Sequence, residues 1–201
     1  MYHPALTISL WQRIEEWDRA MFLVLNNKLS NPVFDSVLPF FRDSVFWAPL
    51  YLFILAFAVL NWGSKGLWWV LFFVATVAIA DLLGTYAFKE TIRRIRPCNN
   101  PALIDHLRLV LKRCPGGYSF LSNHAANHFG LATFMVLTLR GVWQRWIWLA
   151  YAWAILISFA QVYVGVHYPL DIAGGALLGM VAGYVTASLY HYNFGRLNYV
   201  N

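Results

Sequence analysis

The sequence predicts an all-α integral membrane bundle of five transmembrane helices, preceded by an N-terminal amphipathic helix lying in the interface. Three observations carry this. Of 201 residues, 60% are hydrophobic and 12% charged, against roughly 25% charged in an average soluble domain. Fifteen Lys and Arg with nine Asp and Glu cannot coat a soluble chain that also holds ten Trp and fifteen Phe. Five stretches, residues 46–62, 67–88, 121–139, 146–165 and 170–190, approach the length that a roughly 30 Å hydrocarbon core requires. One domain is expected over residues 1–201, with 1–45 as an interfacial helical segment and 46–191 as the bundle, because internal repeats and polar low-complexity tracts are missing.

Taken in order, the elements follow from spacing. Leu10, Ile14, Trp17, Met21 and Val24 recur at intervals of four and three, with Gln12, Arg13, Glu15, Glu16, Asp18 and Arg19 between them, which is an amphipathic helix. Ser9 followed by Gln12 fits a capping box at its start. Residues 33–41 are too short and polar-flanked to span, and no basic segment precedes an apolar run with a small-residue cleavage site, so no cleavable signal peptide is expected. Residues 46–62 and 67–88 flank a Gly63-Ser64-Lys65-Gly66 turn and form a helical hairpin. Trp62, Trp68, Trp69, Trp143, Trp146, Tyr190 and Tyr192 fall near span ends, where an aromatic belt belongs.

Five crossings put the 89–118 loop, the junction between the fourth and fifth spans and the amphipathic helix on one side. Lys65, Arg140, Arg145 and Arg196 fall on the other, taken as cytoplasmic. The expected setting is a bacterial inner membrane with the loop facing the periplasm or exterior. Cys98 and Cys114 both lie in that loop and can pair in an oxidising compartment.

The net charge of +6 is concentrated. Lys89, Arg93, Arg94, Arg96, Arg108, Lys112 and Arg113, offset by Glu90 and Asp105, give +5 in 25 residues, leaving +1 for the rest. Such clustering points to a local anion site, whereas nucleic-acid binding spreads cations over a face or arm. A solvated loop obeying the positive-inside rule is the plain alternative.

Three motifs converge on this face. Lys89, Arg93 and Arg96 stand at i, i+4 and i+7 before Pro97, a spacing that predicts a cationic comb on one helix face, although snorkelling at a helix end would account for one or two of them. Ser122, Asn123 and His124 open the third span after Pro115-Gly116-Gly117, so free backbone N–H groups and the positive end of the dipole face the loop. Ser122 can cap that helix and donate its hydroxyl, and His124 can move a proton near neutral pH; a plain cap with a packed His is the alternative. His124 and His128 also have metal-ligand spacing, but the intervening residues lack the Glu of a zinc protease helix. His167 and Asp171 are four apart across Pro169, so the carboxylate can hold one ring nitrogen and leave the other as a nucleophile; Asp171 could alternatively serve only the helix dipole.

These motifs resemble the type 2 phosphatidic acid phosphatases, a family of membrane lipid phosphatases that shares its active site with the vanadium haloperoxidases. The family pattern is Lys, six residues, Arg-Pro; then Pro-Ser-Gly-His; then Ser-Arg, five residues, His, three residues, Asp. Lys89 with Arg96-Pro97 matches the first element, Ser122 and His124 keep two positions of the second, and His167 with Asp171 keep two of the third; the likeness covers about residues 45–191. It implies metal-independent, cofactor-free hydrolysis of a phosphate ester or anhydride on a membrane lipid. His167 would attack phosphorus, Asp171 would fix its tautomer, and His124 would protonate the leaving oxygen. Lys89, Arg96, Ser122 and the Asn123 N–H would bind the equatorial oxygens.

Two positions depart from the pattern. Asn123 replaces Gly, and Ala160-Gln161 stands where Ser-Arg is expected, so one cation of the phosphate cradle is missing. Gln161 can still hydrogen-bond, and Arg93 is the expected replacement cation. By family analogy the expected substrate is undecaprenyl diphosphate, with phosphatidate, phosphatidylglycerophosphate or lipid A phosphates as alternatives. A vanadate-dependent haloperoxidase and a non-catalytic membrane binding or transport protein are the competing classes. No nucleic-acid partner is expected, and the sequence does not indicate an oligomeric state. Gly175, Gly179 and Gly183 predict close helix packing, Asp81 is either functional or bonded to a neighbouring helix, and His106 reads as a loop residue.

Overall fold

The computed structural model describes residues 9–197. The start of the interfacial segment, including the stretch read for a signal peptide, and the last four residues of the expected domain lie outside that range. Helix α1 (Leu10–Leu23) begins at a Ser9 cap whose hydroxyl accepts from the Gln12 N–H, while the Gln12 side chain accepts from the Ser9 N–H, so the capping box forms as expected. Its apolar stripe faces outward, with Leu10, Trp11 and Trp17 more than half exposed, as suits an element whose apolar face meets lipid. Asp18 and Phe22 form the buried face instead, so Asp18 is not one of the solvated charges its neighbours predicted.

A short π-helical stretch (Val24–Lys28) follows, and α2 (Pro32–Phe41) starts at Asn31, whose side chain accepts from the Phe34 N–H. Helix α3 (Ala48–Leu82) is one run in hydrogen bonding, but Gly63 has φ 54° and ψ −124°, which reverses the chain at the turn the sequence marks. A Cβ at Gly66 would strike the Ala58 carbonyl, so the two legs of this hairpin touch and Gly66 is required there. The second leg passes through a π-helical stretch (Leu83–Lys89) into the single turn α4 (Glu90–Ile92). After the long loop come α5 (Asn123–Trp143), α6 (Leu149–Tyr163) and α7 (Pro169–Phe194). Gln144, at φ 48°, bends the chain between α5 and α6. Three apolar helical runs, Ser44–Asn99, Asn123–Tyr163 and Pro169–Phe194, are long enough to cross a membrane.

The core is the α5–α7 seam. A Cβ at Gly175 would meet the Ser122 carbonyl, at Gly179 the Ala126 carbonyl and at Gly183 the Gly130 carbonyl, so the small-residue ladder brings two backbones into contact. Thr76 and Thr186 share a hydrogen bond of 2.6 Å across α3 and α7, and the Trp69 indole donates to Thr138. Trp69 and Tyr190 are fully buried in this seam, unlike the belt positions expected of them, whereas Trp68, Trp146 and Tyr192 are exposed. Successive residues on a helix point about 100° apart, so a Trp-Trp pair cannot both face the interface.

Candidate active site

The three motifs meet at one end of the bundle. Ser122 caps α5, its hydroxyl accepting from the Ala125 N–H, and its own N–H donates to the Asp171 carbonyl, which fixes the start of α5 against the first turn of α7. His124 therefore stands in the first turn of α5, where unpaired N–H groups and the positive dipole end concentrate. His167 lies in the short 164–168 junction and is 2% exposed.

The protonation of His167 can be read from its partners. Arg96 Nη1 lies 3.1 Å from His167 Nε2 and can only donate, so Nε2 presents a lone pair. The proton then sits on Nδ1, 3.3 Å from Asp171 Oδ2. Burial pushes the ring's pKa down to about 4, overriding the favourable pair with Asp171, so the ring is neutral at physiological pH. The unprotonated nitrogen thus faces the cation of the first motif.

Arg96 is itself buried and held by carbonyls: its Nε donates to Gly116 and Gly117, and Nη1 to Val166. The Cys98–Cys114 disulfide, with Cα atoms 5.8 Å apart, ties the residues just after Arg96 to the segment that supplies two of those carbonyls. Lys89, at the end of the π-helical stretch, lies within electrostatic reach of Arg96, Asp81 and Asp171. A π-bulge swings such a side chain away from the 3.6-residue register.

That register change corrects the expected comb. Arg93 does not share a face with Lys89 and Arg96, because α4 ends at Ile92 and Arg93 adopts a left-handed conformation at φ 52° and ψ 36°. It is exposed, and its Nε turns back to the Glu90 carbonyl, serving its own helix end. Arg94 instead enters the site. One of its nitrogens donates to Asp171 Oδ1 at 2.8 Å, the other to Asp18 Oδ2 at 2.6 Å, and its guanidinium stacks 4.0 Å over the Tyr168 ring. Asp18 also accepts from the Leu170 N–H. Burial raises the Asp18 carboxyl above its usual range despite these donors. The result is a continuous chain, Asp18–Arg94–Asp171–His167, joining the interfacial helix to the candidate nucleophile.

Asn123 and Asp81 explain each other. The Asn123 amide donates to Asp81 Oδ1 and Thr85, and Asn127 donates to the same carboxylate oxygen, so the substituted position clamps α5 to the second leg of α3. The Asn123 side chain is thus engaged away from the loop, and its backbone N–H remains the group offered at the helix start. His128 has both ring nitrogens engaged, Nδ1 with the His124 carbonyl and Nε2 with the Tyr51 hydroxyl, which leaves it no lone pair for a metal shared with His124. His106 contributes its carbonyl to Asn27.

Gln161 is fully buried; its Oε1 accepts from Arg42 Nε at 3.3 Å, and its Nε2 has no hydrogen-bond partner. Sequence reading passed over Arg42, Arg94 and Asp18. Arg42 contacts Gln161 across 119 positions, a separation no local pattern reports. Asp18 and Phe22 stand four apart, a spacing from which a second, buried face of α1 could have been read.

Comparison with known proteins agrees with this geometry. Residues 66–195 match the PAP2 superfamily. The chain is 33% identical over 179 residues to the lipid A 4'-phosphatase of Bacteroides thetaiotaomicron, covering 87% of this chain and 78% of that one. A shorter similarity, 33% over 119 residues and covering 58% and 52% of the two chains, is to the undecaprenyl-diphosphatase of Sulfolobus acidocaldarius. The crystal structure of Aquifex aeolicus LpxE superposes with a TM-score of 0.66 at 25% identity, over 85% of this chain and 94% of that one.

Proposed function

The chain belongs to the PAP2 superfamily and is a membrane lipid phosphatase of that type, and from that premise we propose that it removes the 4'-phosphate of a lipid A-like glycolipid through a phosphohistidine at His167. The lipid A alternative thereby moves ahead of undecaprenyl diphosphate, because the similarity to a lipid A 4'-phosphatase runs through most of both chains while that to an undecaprenyl-diphosphatase runs through about half of each.

The observation that carries the mechanism is the placement of His167 between Arg96 and Asp171. His167 Nε2 forms the bond to phosphorus as the P–O bond to the lipid breaks, and His124 gives its proton to the departing oxygen. The imidazolium created keeps its Nδ1–H on Asp171. Water then attacks phosphorus, His124 takes its proton, and inorganic phosphate leaves with His167 restored. Lys89, Arg96, the Ser122 hydroxyl and the Asn123 N–H bind the oxygens whose charge must be stabilised in flight. No step requires a metal ion or cofactor. We further read residues 46–191 as the catalytic bundle, residues 1–45 as its interfacial support, and the active end as facing the periplasm of an inner membrane.

The test is phosphate release by the purified full chain in detergent from lipid A, undecaprenyl diphosphate, phosphatidate and phosphatidylglycerophosphate, with and without EDTA. Loss of the 4'-phosphate from lipid A, at a kcat/KM above that for the other three and unaffected by EDTA, is expected. Preference for undecaprenyl diphosphate would return the assignment to that substrate.

A further inference from the structure

We propose that Arg42 is the third cation of the phosphate site, acting through space at the position where the chain carries Gln161. This rests on the reading of the site as a phosphate cradle and adds to it a residue from outside the three motifs. Arg42 follows the last residue of α2, which packs on the end of α6. Leu38 lies in one apolar cluster with Ala160, Tyr163 and Val164, and Phe34 meets the rings of Phe159 and Tyr163 edge to face. Asp35 accepts from the Tyr163 hydroxyl at 2.7 Å and from Arg108 at 2.6 Å, which fixes the register of α2 on α6. Those contacts deliver the Arg42 guanidinium to the buried Gln161 side chain.

Two features of the pair point to an anion. Arg42 is half-buried, yet among the described residues no carboxylate bonds it, and its charge reaches both Arg96 and His124. Asp43 and Asp171 act on the charges of Arg42 and Arg96 from a distance, but neither carboxylate bonds either guanidinium. Holding two such cations near one another inside a protein is costly unless something negative sits between them. Gln161, fully buried, uses its oxygen on Arg42 and leaves Nε2 unpartnered, a donor with nothing to donate to. Arg42 also lines a cavity of about 560 Å³ with Lys112, Arg113 and Gly116, and the Gly116 carbonyl accepts from Arg96. A phosphoryl group held by Arg96 would thus lie beside a guanidinium and an amide N–H that lack anionic or acceptor partners. Gln161 with Arg42 then does together what one arginine at position 161 would do alone.

The experiment compares wild type with Arg42→Ala, Arg42→Lys, Gln161→Arg and Arg42→Ala/Gln161→Arg as purified full chains, each checked for fold by thermal melting. Two readouts are used: kcat/KM on the best lipid phosphate, and binding of inorganic phosphate by calorimetry. Arg42→Ala is expected to lower kcat/KM by about 10²-fold and to weaken phosphate binding, with Arg42→Lys recovering part of both. Gln161→Arg should restore most of the loss in the Arg42→Ala background. Wild-type kcat/KM and phosphate binding in a folded Arg42→Ala protein would overturn the proposal, as would a double variant no better than Arg42→Ala. Calorimetry separates this from the substrate question: if no lipid phosphate is hydrolysed by wild type, the proposed function fails, while Arg42-dependent phosphate binding would still stand.

Discussion

At the scale of single residues, the pattern of neutral and charged groups sets what each substitution should do. His167→Ala removes the atom that bonds phosphorus, so turnover should fall to background, and His124→Ala should cost about 10²–10⁴-fold in kcat, the range for loss of a positioned proton donor. His167 has a depressed pKa of about 4, so its neutral form is present above that value and is lost only as pH falls through it. In protein labelled with 15N-histidine, the His167 ring should keep a neutral Nδ1–H pattern from about pH 8 down to about pH 5; titration near the ordinary value of about 6.5 would contradict the buried, neutral nucleophile. Arg94→Ala should be far worse than Arg93→Ala. It strips Asp18 and Asp171 of their shared cation, and leaving a buried carboxylate unpaired costs about 3–5 kcal/mol, whereas Arg93 is exposed and bonds a carbonyl of its own helix. Thermal melts and kcat of the two variants, with Arg94→Ala/Asp18→Asn as partial rescue of stability, check this; equal effects would remove Arg94 from the positioning of His167. Local spacing marks His167, Asp171, Ser122, His124, Lys89 and Arg96 as candidates, and the structure brings Arg96, His167, Asp171 and Ser122 into contact at one end of the bundle. The same spacing misassigned Arg93 because an ideal helical register was extended through a π-helical stretch and past a left-handed residue, both consequences of tertiary packing.

At the scale of elements, composition and spacing predict the helices well, while their ends and faces depend on partners. The capping box of α1, the turn at Gly63 and the small-residue ladder of α7 are short-range signals, and each forms. That α1 buries Asp18 against α7, or that α2 carries Arg42 to α6, depends on contacts more than 100 residues apart. The ladder gives a direct expectation. Gly179→Val would force a branched side chain into the Ala126 carbonyl, so α5 and α7 must separate and the active end, which hangs on the Ser122–Asp171 bond between them, should be lost with the fold. Melting and activity should therefore fall together. Removing the disulfide should behave differently. Cys98→Ser/Cys114→Ser releases a loop of the size for which chain-entropy estimates give about 3 kcal/mol, and it frees the carbonyls that hold Arg96. The double variant should melt lower yet retain its helices by circular dichroism, with KM rising more than kcat falls. Alkylation of both thiols in unreduced native membranes would show that the pair is not formed there.

At the scale of the whole molecule, the number of crossings decides which side the chemistry serves. The run Ser44–Asn99 has 56 residues and Asn123–Tyr163 has 41, about 84 and 61 Å as straight helices at 1.5 Å per residue, against a hydrocarbon core of about 30 Å. Neither is straight: both are interrupted at positive φ, the first at Gly63, about a third of the way along, and the second at Gln144, near its middle. The contacts sort the turns to two ends. The Tyr190 hydroxyl donates to the Lys65 carbonyl, and Arg140 lines one cavity with Gln144 and Arg145 and another with His191, the neighbour of Tyr190. At the other end Arg94 bonds Asp171, and Asn26 bonds the Arg108 and Tyr163 carbonyls. We propose five crossings on this basis, with positions 65 and 145 on one side of the bilayer and position 105 on the other. Lys65→Cys, Arg145→Cys and Asp105→Cys place single reporters at exposed sites in the oxidised protein, and in intact cells a membrane-impermeant maleimide should label Asp105→Cys alone, the other two reacting after permeabilisation. The basic loop between Lys89 and Arg113 would then lie outside the cytoplasm, against the usual distribution of charge. That placement is intelligible if Lys89 and Arg96 are retained to bind phosphate while Arg94 and Arg108 pair with Asp18, Asp171 and Asp35. Labelling of position 65 from the same side as 105 would eliminate the hairpin, and with it the assignment of the active end to the outer face.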